Sequence, residues 1–407
     1  MNRKISLDYF LVKFILLTPL TMLLQRLFNP ANKVLMACIL LMLVWNMARS
    51  GIQKKTFILI FFSIALFAYS IIIMNSKYLN NVNMYIYFPM WVLYLGYLHD
   101  HYMEVINAFI NNLHFAQIII FVWCFLIVIS MFFPSSYANQ HGNWGTTGAS
   151  FQSFSEGAFR LAPTLLFMAI IIWLYSYYSN KRNYMYLMII PFVATIMTNA
   201  RTYAIIMIFI FFKAFKSFFK NKMDFYILLI PSIIAVAYIV VNSGIGSKFY
   251  DTFDNPYVSD PISGVTSGRS IFWAGEIEMF FEAGIVEKML GGGLTASYVK
   301  NVQISGQAIW AHNDFLEVLN CHGLIGVFLY IYLFLRFFRV VHSKLKIDRF
   351  GEFVFLMVNF VNAMVNGLYV YTTAMLVIPF LLQAMTADFK VELNNLSINL
   401  DINKEGG

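Results

Sequence analysis

Charge is scarce in this chain. Asp, Glu, Lys and Arg make up 12% of its 407 residues, against roughly 25% in an ordinary water-soluble domain. That deficit argues against a soluble fold. Cysteine is scarcer still: Cys38, Cys124 and Cys321 are the three present, with neither metal-type spacing nor a disulfide framework. The sequence has no Walker loop, no GxGxxG fingerprint and no HExxH helix. Asp251, Asp254 and Asp260 lack calcium-loop spacing. No nucleotide, cofactor or metal is therefore expected. No internal repeat is visible either, which counts against a secondary transporter.

What replaces charge is apolar sequence. Hydrophobic residues make up 60% of the chain, and mean hydropathy is +0.68. They cluster in stretches approaching the length of about 17–25 residues that crosses a bilayer. Spans are predicted at 9–24, 34–47, 57–74, 84–98, 117–133, 161–178, 185–198, 203–219, 225–241, 324–338, 353–369 and 375–385. The expected fold class is an all-α polytopic membrane protein of about 12 transmembrane helices. Residues 1–241 hold the first nine helices and 242–316 a large outer loop. Residues 317–389 hold the last helices, and 390–407 form a tail.

Lys and Arg accumulate on cytoplasmic loops. With the N-terminus inside, those segments hold 18 of the 28 basic residues, while nine fall outside and Lys13 lies within the first span. The loop 134–159 has no Lys or Arg, as an outer loop should. Both termini are thus predicted to be cytoplasmic. The net charge of +8 mostly reflects this asymmetry, and no nucleic-acid partner is read into it. Arg3 and Lys4 precede an apolar run without a small-residue cleavage site, so it is read as a retained span.

Two outer segments stand out. The first, 134–159, is rich in Ser, Gly, Asn and Gln. The second is too long for a connector, and long loops in compact proteins are usually functional or disordered. Its part 269–290 reads as one helix, with Ser267-Gly268 as cap and Gly291-Gly292-Gly293 as stop. Arg269, Trp273 and Glu276 recur at i, i+4 and i+7 and share a face. The helix is expected to lie along the outer membrane surface, either as simple packing or as part of a site.

His312 comes directly after this loop. If 313–326 is helical, His312, Leu316, Leu319 and Gly323 form one inward stripe. An ordinary imidazole titrates near 6.5 and can accept a proton at neutral pH; the alternative is a histidine bonded to a loop carbonyl. A metal site from His312, Asp314 and His322 is not expected, because those positions diverge around a helix. Arg201 lies in a very short outer link between two apolar stretches. Placing arginine near hydrocarbon costs at least about 2.5–3.5 kcal/mol. Its fork suits a phosphate, although snorkelling to headgroups is the competing reading. Arg160 and Arg269 complete the outer basic set.

These residues give the chain a family resemblance. The second half resembles the O-antigen ligase and polymerase family, of the Wzy and WaaL type. The carriers are Thr198-Asn199-Ala200-Arg201, Gly268-Arg269 with Trp273, Gly291-Gly292-Gly293-Leu294, and His312-Asn313 with Leu316, Leu319, Gly323 and Gly326. Ala200 and Thr202 depart from the small Ser and Gly that commonly flank the family's arginine. The resemblance implies a GT-C-like, metal-independent inverting glycosyltransferase of the bacterial cytoplasmic membrane, without cofactor. Its donor would be an oligosaccharide on undecaprenyl diphosphate, and membrane lipid would surround it. A flippase or chain-length regulator are candidate partners.

In this reading His312 accepts or orients the acceptor hydroxyl, while Arg201 and Arg269 offset charge on the leaving diphosphate. Arg160, Asn313, Glu276 and Trp273 are the further binding candidates, with Asn313 orienting His312 and Glu276 a reserve base. A polymerase of O-antigen, capsule or exopolysaccharide is the expected activity. A ligase to lipid or protein acceptors stays open, as does a transporter or flippase for a polysaccharide intermediate.

Overall fold

The computed structural model describes residues 7–78, 87–139, 149–218, 269–306 and 308–387. It is about 80% helical with almost no sheet. In chain order the helices are α1 (Leu7–Leu23), α2 (Asn29–Ser50), α3 (Lys54–Ile72), α4 (Tyr87–Asn111), α5 (Leu113–Ser130), α6 (Ala158–Tyr178), α7 (Ile189–Met197) and α8 (Arg201–Phe218). After residues outside the described set come α9 (Arg269–Glu282), α10 (Ile285–Leu290), α11 (Ala296–Ser305), α12 (Asp314–His342), α13 (Arg349–Val365), α14 (Thr372–Leu376) and α15 (Ile378–Ala384).

Among the described residues, five helices are long and apolar enough to cross a membrane: Pro30–Ser50, Lys54–Ile72, Leu113–Ser130, Ala158–Tyr178 and Asp314–His342. The stretches 185–198 and 375–385 fold as short helices, of nine residues in α7 and seven in α15. The expected span 225–241 and the cap Ser267-Gly268 lie outside the described residues.

Helix α6 forms the centre. Leu165 through Leu174 are consecutively buried at 0% exposure, and an all-round apolar helix belongs in a core. It packs against α1, α5, α7, α8, α14 and α15. Helix α3 is the opposite case, with Phe57, Phe61, Phe62 and Ile72 exposed. Exposed apolar surface on this scale suits lipid rather than water.

The connecting segments segregate into two ends. At one, Arg26 Nη1 donates to the Ser135 carbonyl at 2.7 Å, Asn199 Nδ2 to the Ala149 carbonyl at 3.3 Å, and the Asn75 N–H to Thr295 Oγ1 at 2.8 Å. A two-stranded antiparallel hairpin, β1 (Tyr137–Asn139) with β2 (Ala149–Phe151), lies there, pairing Tyr137 with Phe151. At the other end the Gln53 N–H donates to Asp100 Oδ2 at 2.9 Å, and Lys213 pairs with Asp348 at 2.6 Å.

Two expectations about the second outer loop need correction. Residues 269–290 are two helices, α9 and α10, separated at Gly284. The stretch 313–326 is not one helix, because Gly323 interrupts α12 at φ 67. Its buried face carries Asp314, Glu317, Val318 and Cys321, whereas Leu316 and Leu319 are only half-buried. Polar anchoring to α9 and α11 outweighs the apolar stripe as the determinant of rotation.

Candidate functional site

Arg160, Arg201 and His312 reach the same end of the bundle from the beginnings of three helices. Arg160 is in the first turn of α6, Arg201 opens α8, and His312 immediately precedes the N-cap of α12. Arg269 is the first described residue of α9. A helix N-terminus carries partial positive charge and favours anions. Arginines there add to the positive potential of the helix ends and favour an anionic ligand.

The link before Arg201 is set by polar turns. Asn199 adopts φ 58, a left-handed conformation that asparagine tolerates better than most residues. Thr198 Oγ1 donates to the Thr195 carbonyl at 2.7 Å and accepts from the Ala200 N–H at 3.2 Å. Arg201 is half-buried; burial and the charge of Arg269 push its guanidinium below the ordinary value. Arg269 donates to the Val365 carbonyl, and burial likewise lowers it, against the neighbouring Tyr371 and Tyr203.

His312 is half-buried and adopts φ 54. Its ring lies 4.4 Å from that of Trp310. Burial, and then the charge of Arg269, hold its pKa well below 6.5. It is therefore neutral at pH 7 and able to accept a hydrogen bond or a proton.

Beside it opens a cleft of about 860 Å³, an order of size that suits a small-molecule ligand. Arg160, Lys33, Gln25, Trp310 and Tyr371 contribute its polar and aromatic wall. Met36, Leu40, Leu41, Phe67 and Ile71 from α2 and α3 make the remainder apolar. Arg160 pairs with Glu156, which also accepts from Gln25 Nε2 at 3.0 Å. Arg160 thus shares the cleft wall with Trp310 and Tyr371, His312 lies against Trp310, and Arg269 links Tyr371 electrostatically to Arg201.

Other predicted residues serve the frame. Asn313 does not direct its side-chain oxygen to His312. It caps α12, accepting from the Phe315 and Leu316 N–H groups at 2.9 and 3.2 Å. Glu276 is 1% exposed and accepts from Asn301 Nδ2 at 2.7 Å and Asn320 Nδ2 at 2.9 Å. Burial and the nearby Glu317 push its pKa up to about 8, against those hydrogen bonds. It fastens α9 to α11 and α12, which a reserve base facing the cleft would not do. Trp273 Nε1 donates to the Ala311 carbonyl at 2.8 Å.

The sequence reading passed over Trp310, Tyr371 and Glu317, and weighed Asp314 only as a metal ligand. Asp314 Oδ2 accepts from Tyr330 Oη at 2.8 Å and from the Leu368 and Tyr369 N–H groups at 2.6 and 3.1 Å. It thereby ties the Tyr371 segment to the start of α12. Acidic residues in a first turn after an Asn cap were a visible signal; Tyr371, 59 positions beyond His312, carried none. Among the described residues no cluster of His, Cys, Asp and Glu is fit for a metal. Neither a family model nor a curated protein matches the chain.

Proposed function

We propose that the chain is a polytopic, GT-C-like membrane glycosyltransferase that polymerises an oligosaccharide carried on undecaprenyl diphosphate. The carrying observation is a cleft with Arg160, Lys33 and Glu156 on its polar wall and α2 and α3 on its apolar wall, with His312 against the lining Trp310 and Arg269 close enough to influence Tyr371, His312 and Arg201. A diphosphate on an isoprenoid chain has that same division. Helix N-termini and guanidinium groups both favour phosphate oxygens.

In the reaction the acceptor hydroxyl oxygen bonds to the anomeric carbon of the donor. The bond from that carbon to the diphosphate oxygen breaks with inversion, and its electron pair leaves on the diphosphate. Arg201 and Arg269 offset that developing charge from preorganised positions. Neutral His312 orients the hydroxyl and receives its proton. The adjacent Arg269 disfavours a lasting imidazolium, so the proton passes on to solvent or the departing phosphate. The donor is already activated, which agrees with the absence of nucleotide motifs.

The test is reconstitution of the purified full chain in liposomes with an undecaprenyl-diphosphate oligosaccharide. Products are resolved on a gel, with and without His312→Ala. A ladder abolished by the substitution is the expected result. Label appearing instead on an added lipid or protein acceptor would make the enzyme a ligase. No product with any acceptor would overturn the transferase reading.

A further inference from the structure

The peptide unit on each side of Ala311 is held. Its N–H donates to Glu317 Oε2 at 3.0 Å, and its carbonyl accepts from Trp273 Nε1 at 2.8 Å. The first grip comes from the opening turn of α12. The second comes from α9, 38 residues earlier in the chain. Immediately beyond His312, the Asn313 cap fixes the chain again. His312 therefore lies between two anchored residues.

Its backbone needs that restraint. At φ 54 it occupies the left-handed region, where a residue with a Cβ persists only if its surroundings over-determine it. The Trp273 grip is itself anchored, because Glu276, one turn further along α9, is bound by Asn301 and Asn320. Glu317 Oε1 is also engaged, accepting from Cys321 Sγ at 3.5 Å. Neither gripping side chain is a loose surface group. Glu317 is 2% exposed, and Trp273 is half-buried.

We propose that Trp273 and Glu317 are positioning residues, which clamp the Ala311 peptides so that His312 stays left-handed with its imidazole against Trp310 at the cleft. The clamp needs no assumption about the ligand; only its meaning for glycosyl transfer rests on the function proposed above. Glu317 and Trp273 act through His312 and touch no reacting atom in this scheme. The clamp also gives a role to the Trp273 N–H on α9, a residue otherwise read only as a substrate-binding candidate.

The experiment measures carbethoxylation of His312 by diethyl pyrocarbonate, read by peptide mass spectrometry on the purified full chain. Rates are taken from about pH 5 to about pH 8, the range over which an imidazole titrates. Glu317→Ala and Trp273→Phe are expected to raise the His312 rate about fivefold, the effect of losing one backbone hydrogen bond. The midpoint of the pH profile should move up, while reaction at His101 stays unchanged as a folding control. Glu317→Gln retains an oxygen for the Ala311 N–H and should restore the parental rate and midpoint. Parental His312 profiles in both Trp273→Phe and Glu317→Ala would overturn the clamp. So would a Glu317→Gln profile that matches Glu317→Ala. The same preparations are assayed for glycan transfer. Altered His312 profiles alongside a parental protein without transferase activity would leave the clamp standing and remove the proposed function.

Discussion

Gly323 and Gly291 lie backbone to backbone. Both have positive φ, 67 and 83, and a Cβ on either would overlap the facing chain: Cys321 and His322 for Gly291, Met289 and Gly291 for Gly323. The Gly292 N–H donates to the Asn320 carbonyl at 2.8 Å between them. This contact brings the end of the outer helices onto the kink of α12.

Alanine at Gly291 or Gly323 is therefore expected to destabilise by about 1–3 kcal/mol or more, from left-handed strain together with the clash. Gly284 is the matched control, with φ −67 and open space around it. Thermal unfolding in detergent checks this: Gly284→Ala should leave the midpoint within a degree or two, while the other two lower it.

Glu276 should make stability depend on pH. Its folded pKa of about 8 lies above the ordinary 4.5. The unfolded chain ionises first as pH rises, so stability present below pH 4.5 is lost progressively up to about pH 8. The loss is of the order of a few kcal/mol. Melting temperature against pH, compared with Glu276→Gln, reads this directly. The variant should flatten the decline, and an equally steep decline in it would assign the effect elsewhere.

The acid side of the transferase profile should lie low. His312 is held well below 6.5 by burial and by Arg269, so a neutral imidazole persists as pH falls through 6.5. Activity is lost only under more acidic conditions. Arg269→Gln removes the effect of the neighbouring guanidinium charge and should move that acid limb upward, besides lowering kcat. A limb already at 6.5 or above in the parent would contradict this assignment.

Arg201→Lys retains charge but loses the fork that grips two oxygens. Turnover from the lipid-diphosphate donor should fall at least about 10²-fold, as for loss of one preorganised transition-state donor. The lysine variant should still bind the donor, measured by retention of labelled lipid. Unchanged kcat would place Arg201 outside the diphosphate site.

At the opposite end, Asp348 has two roles: it accepts from the Gly351 N–H at 2.8 Å as a cap and pairs with Lys213 at 2.6 Å. Loss of the cap costs about 1 kcal/mol; the ion pair joins a buried Lys213 to an exposed Asp348, and solvent screening at the carboxylate keeps its contribution below that. Asp348→Asn should thus cost little and Asp348→Ala more, as thermal unfolding would show. Equal losses would make the ion pair the greater contributor.

The helical, apolar character of the chain was legible from composition because its cause is local: few charges and long apolar runs leave little alternative. The face shared by Arg269, Trp273 and Glu276 was legible for the same reason, since helical spacing alone sets it. Their separate destinations were not. Glu276 meets Asn301 and Asn320, Trp273 meets Ala311, and Arg269 meets Val365, and each partner depends on how α9 docks.

Sequence by itself determined which side chains are available at one end of the bundle: three arginines, a histidine and the loops that carry them. Tertiary structure alone decided their relations. It turned Asn313 into a cap, buried the acidic face of α12 in place of the leucine stripe, and brought Tyr371 beside Trp310 and Arg160. The physical reason is that buried polar groups must find partners. Those partners lie on other helices, at separations that no local periodicity encodes.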